Sequence, residues 1–156
     1  MPALSAELKE LLARTNLIVY PEDYVIVYLP TGVQAIPGEW FRPATTRFAV
    51  VIQEPKVITM IVPRQKWLRM QSMFDQYDVN GPMKVIAFDV KLSMVTSGYM
   101  AAIGSILRQS KISALPISSL KNDHILVPKS DLPRTVRVLR EFLGSCRKKN
   151  NGSKKA

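Results

Sequence analysis

Residues 114–132 read ALPISSLKNDHILVPKSDL, and residues 49–67 read AVVIQEPKVITMIVPRQKW. Laid over one another at a shift of 65 without a gap, they share Ala49/Ala114, Ile52/Ile117, Lys56/Lys121, Val62/Val127 and Pro63/Pro128. Met60/Ile125, Ile61/Leu126, Arg64/Lys129 and Trp67/Leu132 match in kind. Strand–turn–strand–helix segments share pattern by necessity, so the order of the flanking elements has to carry the case for an internal repeat.

That order can be read outward from the two segments. Leu4, Leu8, Leu11 and Leu12, behind Ser5 as N-cap, predict an amphipathic helix over about 5–14. LIVY (17–20) and YVIVYLP (24–30) read as strands. Pro37, Gly38 and Pro43 leave room in 31–45 for one helical turn at most, around 39–41. RFAVVIQ (47–53) and VITMIVP (57–63) form a hairpin, followed by a helix over 64–75 with Trp67, Met70 and Phe74 on one face, widened by Met73. YDVNGP (77–82) is the clearest break in the chain.

The second half repeats the plan. It predicts a strand over 83–92 and a helix over 98–110 with Met100, Ile103, Ile106 and Leu107 as its stripe. Ala101, Ala102 and Gly104 would let that helix approach a sheet closely. Strands follow at 112–118 and 124–128, then a closing helix capped by Ser130 with Pro133 in its first turn. The expected fold is α+β: two tandem ferredoxin-like βαββαβ units with antiparallel sheets, the first with a degenerate first helix. The boundaries are an N-terminal helix 1–15, unit one 16–76, unit two 77–145 and a basic disordered tail 146–156.

The net charge is +10 over 156 residues, but RKKNNGSKKA at the end holds five basic residues and no acid, leaving +5 over residues 1–146. The tail offers at most weak nucleic-acid contact. No apolar run reaches the roughly 20 residues of a membrane span, and the N-terminus lacks the features of a signal peptide. Cys146 is the only cysteine, which fits a reducing, cytoplasmic setting and excludes an intrachain disulfide. No phosphate-binding glycine loop or nucleophile elbow is present, and one His with one Cys makes no metal site, so neither an enzyme nor a cofactor or metal is expected.

Asp123–His124 is the candidate that remains. The first half has Ile58–Thr59 there, so the pair is not required to build the hairpin. Neighbours on a strand face opposite ways, which argues against a catalytic dyad. His124 reads as a packed residue. Asp123 reads either as a turn carboxylate bonding nearby N–H groups or as a ligand contact. Trp40, Trp67 and Met70–Met73 read as core or interface.

The run Ser118-Ser119-Leu120-Lys121-Asn122-Asp123-His124-Ile125-Leu126-Val127 resembles the S-T-[FY]-x-x-D-[FYH]-x-L-V pattern of the ACT domains in CASTOR-type amino-acid sensors. The resemblance covers about residues 24–143, the first half matching the degenerate ACT unit of such tandem pairs. It implies a non-enzymatic sensor or regulatory module with an amino acid bound between ACT units. The contacts it implies are the loop Met94, Val95, Thr96, Ser97 and Gly98, and the strand-turn residues Ile117, Ser118, Ser119 and Asp123. Thr96–Ser97 stands where many members carry an acid, and Ser119–Leu120 replaces Thr and an aromatic. Ser97 is equally readable as the helix N-cap. A homodimer is expected, with a protein partner open.

Two alternatives stand beside this reading. One is a basic ferredoxin-like nucleic-acid binder, although RFAVVIQ has only Phe48 where such strands stack bases with several aromatics. The other is an ACT scaffold that mediates protein–protein interaction without ligand.

Overall fold

The computed structural model describes residues 4–30, 32, 38, 46–92, 96–120 and 122–152, the side chains of 149–152 aside. Expectations for Trp40, the turn at 39–41, Met94, Val95 and Lys121 lie outside the described residues. In chain order the elements are α1 (Ala6–Arg14), β1 (Asn16–Val19), β2 (Tyr24–Pro30), β3 (Val50–Gln53), β4 (Val57–Pro63), α2 (Arg64–Met70), β5 (Asp78–Asp89), α3 (Tyr99–Gln109), β6 (Leu115–Ser118), β7 (Asp123–Pro128) and α4 (Leu132–Gly152).

The chain divides into two compact units, one of residues Tyr20–Lys84 and one of residues up to Val19 together with those from Val85 onward. In the Tyr20–Lys84 unit the strand order is β3-β4-β2 followed by the first part of β5. β2 and β4 pair antiparallel from Tyr24↔Pro63 to Pro30↔Val57. Strand alternation sends Val25, Val27 and Leu29 of β2 and Ile58, Met60 and Val62 of β4 to one face, where Trp67 and Phe74 complete the core. The Trp67 and Phe74 rings stack at 5.6 Å, and Tyr77 meets Trp67 edge-on at 4.9 Å.

Two expectations fail in this unit. The helix over 64–75 is α2 followed by a 3-10 turn at Gln71–Met73, and Met73 is 61% exposed rather than part of the buried stripe. The Asn80-Gly81-Pro82 signal is not a break: β5 runs through it for 12 residues. The irregularity it encodes is a register shift against β2 between Tyr24 and Ile26. Gly81 has φ +145°, and a Cβ there would stand 3.0 Å from the Tyr24 carbonyl oxygen. Pro82 follows through a cis peptide bond, at a point where a strand can spare a donor.

In the other unit β1 pairs antiparallel with the second part of β5, from Asn16↔Asp89 to Val19↔Ile86, and β7 and β6 continue the sheet. Leu8 and Leu12 of α1, Ile86 and Phe88 of β5, Ile103 and Leu107 of α3, and Leu139 and Leu143 of α4 share its core. Here the sequence boundary at 15/16 misleads. Ser5 caps α1 as expected, accepting from the Leu8 N–H at 3.2 Å. The helix nevertheless belongs, with β1, to the unit built by the second half, because its leucines complete that core.

The closing helix also differs. Lys129–Asp131 forms a 3-10 turn, so Ser130 is not the cap, and α4 begins at Leu132. It continues past residue 145 to Gly152, where a disordered tail is expected from 146. Cys146 is buried, and the Arg147 guanidinium donates to the carbonyls of Ala13 at 2.9 Å and Thr15 at 2.7 Å, so residues at this point gain partners a free tail would lack.

The two hairpins share one register. Val50↔Ile61, Val51↔Met60, Ile52↔Thr59 and Gln53↔Ile58 become Leu115↔Leu126, Pro116↔Ile125, Ile117↔His124 and Ser118↔Asp123 under the same shift of 65. The second hairpin is shorter than the 112–118 expectation. The Ile112 N–H closes the end of α3 on the Leu107 carbonyl at 2.9 Å, and pairing starts at Leu115.

Candidate functional site

Asp123 opens β7 in the row that continues through Ile125 and Val127, two core residues. The residue at the matching register position of the other hairpin is Ile58, itself in the core of the other unit. A carboxylate therefore occupies an inward-facing position filled by isoleucine in the sister hairpin. It is 7% exposed and pairs through its backbone with Ser118, and its charge acts on the neighbouring His124 and Tyr99. An isoleucine at that position serves packing, whereas the Asp123 carboxylate adds no apolar contact to the core it borders.

The carboxylate borders an open cleft of about 600 Å³ lined by Leu92, Thr96, Gly98–Ala101, Ser118–Leu120 and Asp123. Opposite the hairpin stands the first turn of α3. Gly98 is its N-cap with φ +84°, a left-handed conformation that glycine adopts without strain. The first intrahelical bond runs from the Ala102 N–H to the Gly98 carbonyl at 2.9 Å. The N–H groups of Tyr99, Met100 and Ala101 consequently have no acceptor within the helix and carry its positive end.

The hairpin side is held by its own turn. Ser119 Oγ donates to the Asn122 carbonyl at 2.7 Å and accepts from the Asn122 N–H at 3.2 Å, while the Ser119 N–H donates to the same carbonyl at 3.1 Å. Ser119 thus fixes the loop that presents Asp123. Leu120 is 70% exposed at the lip.

The geometry brings together Thr96, Gly98, Ser118, Ser119 and Asp123 of the expected set. Ser97 is exposed and is not among the described residues lining this cleft, and with Gly98 as the N-cap of α3 it makes no side-chain cap. Ile117 pairs with His124 on the strand face opposite to Asp123 and lies outside the cleft. Val95 lies outside the described residues. His124 is buried, and burial pushes its imidazole below the ordinary 6.5 against the opposing pull of Asp123 and the backbone of Ile117 and Asn122.

Tyr99 is the residue that sequence reasoning passed over. It is among the residues lining the cleft, and its hydroxyl lies 2.8 Å from Thr15 Oγ1, which donates to the Leu11 carbonyl at 2.9 Å. Burial raises its pKa to about 12; the Thr15 hydrogen bond opposes that rise and the Asp123 charge adds to it. An aromatic directly after the loop glycine was the available signal. What pairs it with Thr15 is a contact across 84 residues of sequence.

The cleft offers a positive helix end and a negative carboxylate on facing walls. That pairing suits a small molecule carrying both an anionic and a cationic group. Among the described residues no cluster of three His, Cys, Asp or Glu side chains can hold a metal ion. Within them, too, no helix is long and apolar enough to cross a membrane.

Residues 80–141 match the family model of the ACT domain, a span that includes α3 and the β6–β7 hairpin and hence both walls of the cleft. Comparison with curated protein sequences gives no match. Among solved structures, a Vibrio cholerae protein of unknown function, described as a possible transport protein, is similar at 22% identity and TM-score 0.63, covering 87% of this chain and 95% of that one. An Agrobacterium tumefaciens protein gives 20% identity and TM-score 0.65, with 82% and 88% covered. Escherichia coli aspartokinase III, in complex with lysine and aspartate, gives 14% identity and TM-score 0.53, with 81% of this chain and 32% of that one covered. The fold is ACT-like: α+β, ferredoxin-like, with an antiparallel sheet.

Proposed function

We propose that this chain is a non-catalytic regulatory module that binds a free amino acid in the cleft between the α3 N-terminus and Asp123. The observation that carries the reading is the pair of opposite charges across that cleft. The α-carboxylate is received by the N–H groups of Tyr99, Met100 and Ala101, and a cationic group of the ligand by Asp123. The match of residues 80–141 to the ACT domain supports it, as does the likeness to an aspartokinase solved with lysine and aspartate.

The finer form of the reading is a CASTOR-type tandem pair in which the first half of the chain is the degenerate first ACT unit. The hairpin registers, identical under a shift of 65, support that form. The module acts in the cytoplasm as a homodimer, a second copy covering Leu120 at the cleft's lip and bringing the ligand between units. Such a module passes its signal to a protein partner rather than transforming the ligand.

A thermal-shift screen against the twenty amino acids, repeated with Asp123→Ala, tests the reading. A shift with at least one amino acid that Asp123→Ala abolishes is the expected result. A shift that survives the substitution removes Asp123 from the site. Absence of any shift, alongside salt-sensitive RNA or DNA binding, favours a nucleic-acid function through α4, which exposes Arg134, Arg137, Arg140 and Lys148.

A further inference from the structure

We propose that a groove along the C-terminal half of α3, separate from the amino-acid cleft, is a binding site for a small carboxylate with an apolar tail. The groove encloses about 550 Å³, within the usual range of roughly 300–1,000 Å³ for ligand sites. Its floor is Ile103, Leu107, Ile112 and Ile125, all buried core residues, with Met100 and Pro116 as walls. Arg108 and Lys111 stand at its mouth, both exposed, and among the described residues neither makes an ion pair. The Arg134 guanidinium, bonded to the Ser110 carbonyl, adds a third positive charge beside them.

Two residues lining this groove work against the stability of the fold. Gly104 lies inside α3, where glycine is worse than alanine. Close approach to the sheet does not account for it, since a Cβ at 104 would meet nothing within 4 Å. The glycine keeps the groove wide.

Lys111 is the second. The end of α3 is a Schellman turn, with the Lys111 N–H on the Arg108 carbonyl at 3.0 Å and the Ile112 N–H on the Leu107 carbonyl at 2.9 Å. The left-handed position of such a turn is usually glycine, yet here it holds Lys111 at φ 54°. The left-handed position brings Lys111 to the rim of an apolar slot. A ligand with an apolar tail and an anionic head explains both departures: the tail fills the space beside Gly104, and the head meets Lys111 and Arg108.

Octanoate, octanol and octylammonium, each added to the full chain in a thermal-unfolding assay, test the proposal. Octanoate raises Tm, and the other two raise it less or not at all. Lys111→Gly keeps or raises the Tm of the unliganded protein, because glycine suits the turn, and loses the octanoate shift. Gly104→Leu fills the groove and also loses it, whereas Asp123→Ala, which acts on the other cleft, leaves it unchanged. Equal shifts from octanol or octylammonium, an octanoate shift preserved in either groove variant, or no octanoate shift in the native chain overturns the proposal.

Discussion

The Tyr99 hydroxyl lies 2.8 Å from Thr15 Oγ1, buried, joining the first residue of α3 to the residue that ends α1. Thr15 also donates to Leu11, and its carbonyl accepts from Arg147 of α4. The helix end proposed above to receive a ligand's anionic group is thereby fixed from behind by both α1 and α4. Tyr99→Phe removes one hydrogen bond while Thr15 keeps its bond to Leu11. We expect a loss of about 1 kcal/mol in denaturant unfolding, with ligand affinity reduced because the wall is less well held.

The equivalence of Asp123 and Ile58 yields a prediction in the opposite direction. Asp123→Ile gives the second hairpin the residue of the first and removes a buried carboxylate. Unfolding stability should rise by about 1–3 kcal/mol while amino-acid binding disappears. Denaturation and titration on the same variant check both halves. A destabilised Asp123→Ile chain would mean that the carboxylate serves the fold.

His124 predicts a pH dependence with a definite sign. Its folded pKa lies below the ordinary 6.5, through burial, so the unfolded chain takes up the proton first as pH falls. Its share of the stability is present above pH 6.5, is lost as pH falls toward the folded pKa, and then levels off. His124→Asn should flatten that part of the stability–pH profile and leave the remainder in place. Parallel profiles for the two chains would contradict the assignment.

Gly81 and Trp67 test the unit of Tyr20–Lys84. Gly81→Ala puts a Cβ against the Tyr24 carbonyl at a φ that L-residues avoid, and should cost about 1–3 kcal/mol. Trp67→Ala empties the centre of its core and should cost about 3–5 kcal/mol. Hydrogen exchange resolves whether each loss is confined to β2, β4 and the first part of β5.

The sequence made the hairpins legible because alternation and a repeated register leave signals in short windows. Asp123 stood out for the same reason: the hairpin aligned with it at a shift of 65 has an isoleucine in its place. Asn80-Gly81-Pro82 misled because the residues that make a turn also serve a register shift inside a long strand. The membership of α1 was invisible, since nothing in Leu8 or Leu12 says that they pack with a half of the chain beginning some 70 residues later. Tyr99 was missed for that reason, its partner Thr15 being distant in sequence. Gly104 was misread because only the structure shows the empty space beside it.

The central claim is that an amino acid binds with its cationic group on Asp123. Isothermal titration of the amino acid selected by the thermal screen, into the native chain and into Asp123→Asn, tests it most directly. The substitution keeps the shape of the side chain and removes its charge. Affinity should fall roughly tenfold to a hundredfold, as loss of a charge-assisted hydrogen bond requires. Equal affinity in the two proteins, or no heat of binding from any amino acid, would contradict the account.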